Sequence, residues 1–195
     1  MISHTYALVV CGGRSNRMGS DKSMLQYYDK PQRYHVYDML LSSCEKVFIS
    51  CNAEQANSIT EGYEFIEDDP LYSDTGPMAA LLTAGTKCPT KSLLLIGCDY
   101  PFLTAGELEL FSTHCKNAPV AFYNETGDVY EPMLAWYPYS CFEELKRMFE
   151  AKQFSLQHFL KATQAIKYLP TDSNCIKSID TAEAFSNAYN SINNP

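Results

Sequence analysis

The stretch TYALVVCGGRSNRMGSDKSML, residues 5–25, decides the fold class of this chain. Its first six residues are apolar, aromatic or β-branched and predict a buried strand, and the two glycines after them predict a turn. Three cations follow within nine residues, namely Arg14, Arg17 and Lys22. Because ligands of open sheets bind beyond the carboxyl ends of strands, we expect this loop to bind phosphate through backbone N–H groups and these cations.

Apolar runs alternate with helix-like segments along the rest of the chain, which is typical of a layered α/β fold with a mainly parallel sheet. The run SLLLIGC, residues 92–98, is the most apolar, so we expect it at the centre of the sheet. We predict strands at residues 5–10, 46–51, 63–67, 92–98, 120–123, 133–137 and 166–169. We predict helices after Pro101 and at residues 31–43, 77–87, 141–151, 155–162 and 181–189, the last capped by Asp180.

The composition excludes several classes of protein. The 195 residues are 46% hydrophobic, which excludes a disordered chain, and no linker divides them, so we expect one domain, residues 1–195. With 15 Lys and Arg against 23 Asp and Glu, the net charge of −8 argues against a nucleic-acid partner. No apolar run approaches the roughly 18 residues of a membrane span, and the opening is too short for a signal peptide. Eight dispersed cysteines without a CxxC pair then predict reduced thiols in a cytoplasmic protein rather than a zinc site.

The glycine-rich loop differs from two well-known phosphate-binding loops. A Walker A loop has four residues between its glycines and a Lys directly after the second. Here five residues lie between Gly13 and Gly19, and Lys22 comes three positions later. The dinucleotide fingerprint GxGxxG also fails, because Gly12 and Gly13 are adjacent. Neither a P-loop ATPase nor a Rossmann dehydrogenase is supported.

The segment VVCGGRSNRMGSDKSML, residues 9–25, resembles the signature GG-x-S-x-R-M-G-x-DK of the MobA-like nucleotidyltransferases, which are related to molybdenum cofactor guanylyltransferase. The resemblance runs from residue 6 to about residue 187. It implies a three-layer Rossmann-like nucleotidyltransferase (GT-A-like) fold with a central, mostly parallel sheet. It also implies an Mg²⁺-dependent reaction that transfers GMP from GTP, or the nucleotide of another NTP, to molybdopterin cofactor. The implied protein partners are cofactor-delivery or acceptor enzymes, contacted transiently. Lys22 and Arg17 are the expected catalytic cations.

Asp99 ends the most apolar strand, in the segment GCDYP. By position alone it is equally a turn cap or a ligand of a hard cation such as Mg²⁺, which usually keeps one or two protein carboxylates beside substrate phosphates. The resemblance favours the role of metal ligand, because CDYPF is similar to the family's CDTP segment. It also implies that Asp99 is a catalytic residue. The expected nucleotide-binding residues are Val10, Cys11, Gly12, Gly13, Arg14, Lys22, Ser50, Asn52, Asp69, Gly76 and Asp99, where Asp69 is chosen by its spacing to Gly76.

The segments that resemble the family's second-substrate site depart from the family pattern at several positions. The segment GDVYEPMLAWY, residues 127–137, is similar to a strand near the second substrate, and KSIDTAEAF, residues 177–185, to a C-terminal segment with two asparagines. The resemblance therefore assigns the second substrate to Glu131, Pro132, Ser178 and Asp180. The chain departs from the family pattern at Glu131, Ser178, Asp180, Ala80 and Phe154. Three alternatives stay open: a cytidylyltransferase on the same cofactor, a sugar-phosphate nucleotidyltransferase, and a non-catalytic nucleotide-binding regulatory module.

Overall fold

A computed structural model of the chain describes residues 2–11 and 21–194. Its strands are β1 (Thr5–Val10), β2 (Lys46–Cys51), β3 (Phe65–Glu67), β4 (Ser92–Gly97), β5 (Val120–Asn124), β6 (Val129–Tyr137) and β7 (Ile166–Tyr168). They form one sheet in the order β3-β2-β1-β4-β6-β5-β7. β6 runs antiparallel to its neighbours β4 and β5, and the other pairs are parallel. The prediction of a mostly parallel sheet with residues 92–98 at its centre is confirmed.

Helices cover both faces of the sheet, which gives the expected three layers. They are α1 (Gln32–Leu40), α2 (Ala53–Ala56), α3 (Pro77–Lys87), α4 (Ala105–Ser112), α5 (Phe142–Glu150), α6 (Leu156–Ala162) and α7 (Ala182–Asn193). One core packs α1 and α4 against the sheet, and a second packs α3, α5 and α6 against its other face. β4 contributes to both cores and is buried along its whole length, as its continuous apolar sequence requires.

The sheet register aligns the carboxyl ends of three adjacent strands. Val10, the last residue of β1, lies beside Ser50 of β2 and Gly97 of β4. The residues that follow these three positions therefore emerge at one edge of the sheet, where open α/β folds bind their ligands.

Local chemistry explains where α3 and α7 begin. Gly76 precedes α3 with φ of 63°, a left-handed conformation that glycine adopts without a steric penalty, and Pro77 occupies the first helical position. The prediction that Asp180 caps the last helix is wrong. The hydroxyl of Thr181 accepts from the N–H of Ala184 and caps α7, which leaves the carboxylate of Asp180 free for another partner.

A small third core holds the C-terminal segment on the rest of the molecule. Tyr27, Ile179 and Ala188 are buried together, although they come from opposite ends of the chain. The side-chain amide of Asn193 also donates to the carbonyl oxygen of Tyr27 at 3.0 Å. α7 is thereby attached to the segment that follows the glycine-rich loop.

The helices and the cysteines bear on the expectations drawn from composition. No helix among residues 2–11 and 21–194 is long and apolar enough to cross a membrane. All eight cysteines are free thiols, and six of them are buried.

Candidate functional site

A cleft of about 970 Å³ opens at the carboxyl ends of the central parallel strands. Its floor is formed by the residues at the ends of β1, β2 and β4, namely Val10, Cys11, Ser50, Cys51, Asn52, Cys98 and Asp99. Its volume lies at the upper end of the usual range for small-molecule sites. The topology thus brings seven residues from three distant parts of the chain to one surface.

Asp99 lies directly beyond the central strand and is held by the C-terminal segment. The hydroxyl of Ser178 donates to Oδ2 of Asp99 at 2.7 Å, and the N–H of Ile179 donates to the backbone oxygen of Asp99 at 2.9 Å. Burial raises the pKa of the Asp99 carboxyl, while the hydrogen bond from Ser178 and the charge of Lys22 act in the opposite direction. Asp99 is therefore a poorly solvated carboxylate that a cation would stabilise.

Gly97 makes room for this carboxylate. A Cβ atom at Gly97 would lie 2.5 Å from Oδ1 of Asp99 and 3.2 Å from the side chains of Met133 and Tyr100. No side chain fits there without displacing Asp99, so the glycine at the end of β4 is required by this close approach.

Lys22 lines the cleft from the short turn Lys22–Met24. Asp21 caps this turn by accepting from the N–H of Ser23 at 2.9 Å, and its other oxygen accepts from the side-chain amide of Gln55 at 2.9 Å. Gln55 belongs to α2, which directly follows β2. The carboxylate of Asp21 therefore ties the lysine-bearing turn to the edge of the sheet, a role that no pattern in the sequence indicates.

The ammonium group of Lys22 is paired with Asp180. Nζ of Lys22 lies 2.5 Å from Oδ1 of Asp180, and the side chains are 21% and 50% exposed. Asp180 follows Ser178 and Ile179, which contact Asp99. Residues 178–180 thus contact Lys22 and Asp99, two of the three charged residues expected to be catalytic.

Asp69, the aspartate chosen by its spacing to Gly76, and the preceding residue Asp68 both line the cleft but make different contacts. The carboxylate of Asp69 accepts from the N–H of Leu71 and caps the turn Pro70–Tyr72, although Asp69 also lines the cleft. Asp68 instead continues the parallel pairing beyond β3, since its N–H donates to the carbonyl oxygen of Cys51 at 2.9 Å. Its carboxylate accepts from the hydroxyl of Ser50 at 2.7 Å. The signal in the sequence is that Asp68 is the first residue after β3.

The other predicted nucleotide-side residues that the structure describes lie at the cleft. Ser50 holds Asp68, and Asn52 caps α2 through a reciprocal capping box with Gln55. Gly76 and Ala80 line the wall formed by α3. Burial raises the pKa of the Asp68 carboxyl, and it also raises the pKa of the Cys51 thiol to about 12, which keeps that thiol neutral near pH 7.

The residues assigned to the second substrate fall in two places. Glu131 and Pro132 belong to β6, where the register places Leu134 beside Ile96 and therefore Glu131 close to Asp99. The hydroxyl of Tyr100 donates to the carboxylate of Glu131 at 3.0 Å, and burial raises the pKa of Glu131. Ser178 and Asp180 lie on the C-terminal segment described above. Phe154 instead packs near Phe149, with ring centroids 5.9 Å apart, and does not line the cleft.

The described part of the cleft lining is rich in carboxylates. Among the described residues, one cation, Lys22, lines the cleft together with six carboxylates, Glu67, Asp68, Asp69, Asp74, Asp99 and Asp180. No group of three or more His, Cys, Asp or Glu side chains in this described part of the chain is arranged to hold a metal ion by itself. The predicted residues Gly12, Gly13, Arg14 and Arg17 lie outside the described residues.

Comparison with known proteins agrees with this architecture. The Archaeoglobus fulgidus protein titled molybdopterin-guanine dinucleotide biosynthesis protein A superposes with a TM-score of 0.74 at 22% identity, covering 95% of this chain and 96% of that one. A nucleotidyl transferase from Methanothermobacter thermautotroptrophicus superposes with a TM-score of 0.77 at 13% identity, covering 96% and 97% of the two chains. At these identities the two structures show the shared fold.

Sequence comparison adds the family. A molybdenum cofactor guanylyltransferase from Shewanella sediminis is 26% identical over 182 residues, 91% of each chain. A molybdenum cofactor biosynthesis bifunctional protein from Synechocystis is 32% identical over 127 residues, which are 63% of this chain and 35% of that protein. Residues 7–166 match the family described as MobA-like NTP transferase domain. The chain therefore belongs to the MobA-like NTP transferase family and is a nucleotidyltransferase.

Proposed function

We propose that this protein transfers GMP from GTP to molybdopterin cofactor with release of pyrophosphate, in a reaction that depends on Mg²⁺. The observation that carries the proposal is that Lys22 and Asp99 line the same cleft at the carboxyl edge of the sheet. A cation and a metal-binding carboxylate are the two charges that phosphoryl chemistry needs most, because catalysis there consists mainly of positioning and charge stabilisation.

The residues at Asp99 fit magnesium. A single protein carboxylate is sufficient, since Mg²⁺ retains water molecules and takes further oxygens from substrate phosphates. Asp99 supplies that carboxylate in a poorly solvated position, where burial disfavours the charged form unless a cation is near. When bound, the ion would screen the charges of the phosphates. Asp99 would hold it, and Ser178 would fix the orientation of the carboxylate by its hydrogen bond.

We propose that Lys22 neutralises the departing pyrophosphate. Its ammonium donates hydrogen bonds without accepting any, and the turn that carries it is fixed by the cap of Asp21. The transfer forms a bond between the α-phosphorus and a phosphate oxygen of the acceptor and breaks the bond to the pyrophosphate oxygen. Negative charge grows on the pyrophosphate in this step, so the cation stabilises the transition state more than the ground state.

Asp68 supports guanine as the base. Guanine presents two adjacent N–H donors, N1–H and the 2-amino group, and a carboxylate can accept from both. Cytosine presents one donor, the 4-amino group, beside two acceptors, which a carboxylate would repel. The hydroxyl of Ser50 holds Asp68 at the cleft, so the carboxylate is oriented before the base arrives. This arrangement favours GTP over CTP.

The acceptor is proposed to bind between β6 and the C-terminal segment. Glu131 is held by Tyr100 on one side, and Ser178 and Asp180 lie on the other. The half-buried carboxylate of Glu131 suits an acceptor that offers N–H donors, as a pterin ring does. The name of the Shewanella sediminis relative, molybdenum cofactor guanylyltransferase, supports the same acceptor.

Nucleotide binding and turnover test the proposal together. Thermal shift with each of the four NTPs and Mg²⁺ should give the largest stabilisation with GTP, and Asp68→Asn should reduce the difference between GTP and CTP. Pyrophosphate release in the presence of molybdopterin cofactor should be lost in Lys22→Ala. Lys146→Ala, which removes the same charge from the exposed face of α5, serves as the matched control.

Each alternative predicts a different result in these assays. A CTP preference would indicate a cytidylyltransferase, and turnover with a sugar phosphate alone would indicate a sugar-phosphate nucleotidyltransferase. Nucleotide binding without pyrophosphate release in any combination would indicate a regulatory module. Wild-type turnover in Lys22→Ala would remove Lys22 from the mechanism.

A further inference from the structure

The pairing of Lys22 with Asp180 places a negative charge where a triphosphate would bind. Lys22 is the one cation among the described residues at the cleft, and its ammonium is 2.5 Å from the carboxylate of Asp180. A triphosphate that uses Lys22 would bring its own charges to within a few ångströms of this carboxylate. Two anions would then compete for one ammonium group.

Asp180 is held in place by its neighbours. The two residues before it are fixed, because Ser178 donates to the carboxylate of Asp99 and the N–H of Ile179 donates to the backbone oxygen of Asp99. The side chain of Ile179 is 1% exposed and packs in the third core with Tyr27. Thr181 then caps α7. The backbone at Asp180 is therefore fixed, which keeps its carboxylate within reach of Lys22 when a ligand arrives.

We propose that Asp180 is a specificity-determining residue that disfavours free nucleoside triphosphate and makes binding depend on a divalent cation. This inference rests on the proposed function, in which the triphosphate binds against Lys22. A free triphosphate must displace or oppose the Asp180 carboxylate. A triphosphate complexed with a divalent cation carries two fewer negative charges, so the repulsion from Asp180 and from the neighbouring Asp99 falls. The cleft would thereby select the metal complex before any chemistry occurs.

The test is calorimetric binding of GTP to the full chain, once with EDTA and once with excess Mg²⁺. The variant is Asp180→Asn, which removes the charge and keeps the shape of the side chain. We expect it to tighten the binding of metal-free GTP by about fivefold, which is on the scale of a partly exposed ion pair. The ratio of the dissociation constants without and with Mg²⁺ should fall by up to the same factor, because Asp180 repels the metal complex less than it repels free GTP. Glu183→Gln, an equal change of charge in the first turn of α7, should leave this ratio unchanged.

The outcomes separate this inference from the proposed function. If wild-type protein binds GTP with Mg²⁺ and Asp180→Asn leaves the affinity for metal-free GTP unaltered, the inference fails and the proposed function stands. If wild-type protein binds no nucleotide under either condition, both fail. Asp180→Ser provides a second uncharged variant, and a thermal melt of each variant confirms that it is folded. An equal gain in affinity with and without Mg²⁺ in both variants would also contradict the inference.

Discussion

Ser178 donates a hydrogen bond of 2.7 Å to the carboxylate of Asp99, although 79 positions separate the two residues along the chain. Asp99 is the second residue after the central strand, and Ser178 belongs to the C-terminal segment that the third core holds in place. One end of the protein therefore completes the surroundings of a carboxylate that the middle of the sequence supplies. The lining of the cleft depends on the packing of α7 as well as on the sheet.

Ser178→Ala should shift the pH dependence of activity. The hydrogen bond from Ser178 lowers the pKa of Asp99 and so favours its charged form. Without it, the pKa of Asp99 should rise further, and the acid limb of the profile of kcat/KM against pH should move to higher pH. We expect kcat/KM near neutral pH to fall by about tenfold, the scale of one lost hydrogen bond to a charged group. Ser178→Thr, which keeps the hydroxyl, should retain the wild-type profile.

Asp99→Asn should abolish pyrophosphate release and stabilise the fold at neutral pH. Burial raises the pKa of Asp99 above its ordinary value of 3.8, so in the absence of metal the charged carboxylate opposes folding at pH 7. We expect Tm to rise by about 2–4 °C, which corresponds to about 1 kcal/mol in a chain of this size. The gain should disappear as the pH falls below about 4, where Asp99 is protonated in both the folded and the unfolded state.

Asp29→Asn is the matched control for the Tm of Asp99→Asn across pH. Asp29 is exposed, so Asp29→Asn should leave Tm almost unchanged across the same range of pH. A gain in the Tm of Asp99→Asn that persists undiminished at acid pH would show that charge burial is not its cause.

Gly97→Ala should damage the site more than the fold. Its new Cβ would lie 2.5 Å from Oδ1 of Asp99, so the carboxylate must move. We expect kcat to fall by at least about a hundredfold, as is typical when a catalytic group is misplaced by an ångström, while circular dichroism retains the native spectrum. Gly106→Ala is the matched control, because Gly106 lies in α4 and a Cβ atom added there would meet no other atom within 4 Å. That substitution should retain activity and raise stability by about 0.5–1 kcal/mol.

Ile179→Ala should release the C-terminal segment. Ile179 is buried against Tyr27 and Ala188. Truncating a buried isoleucine typically lowers stability by about 2–5 kcal/mol. Here we expect the loss to weaken mainly the packing of the C-terminal segment against the rest of the protein. Trypsin should then cleave after the exposed Lys177 faster than in wild-type protein. Ile166→Ala, at a position that is 40% exposed on β7, should leave the cleavage rate unchanged. Equal cleavage rates in Ile179→Ala and wild type would show that the third core does not hold the segment.

The elements predicted best are those with a strong local pattern. The predicted bounds of β1, β2 and α3 agree with the observed ones, because an apolar run or a Gly-Pro start marks each of them. β6 begins at Val129, four residues before the prediction, since Glu131 and Pro132 interrupt its apolar pattern while pairing with β4 and β5 still extends the strand. The four residues of α2 form at the end of β2 around the capping box of Asn52 and contain no apolar period to detect.

The sequence by itself determined the α/β class, the central place of residues 92–98 and the position of Asp99 at the end of that strand, because apolar runs and turn residues act over a few positions. Tertiary structure alone decided that Asp68 rather than Asp69 pairs with Ser50, and that residues 178–180 reach Asp99 and Lys22. Those contacts join residues 18, 79 and 158 positions apart. They depend on how strands register and how α7 packs, which no local pattern of residues specifies.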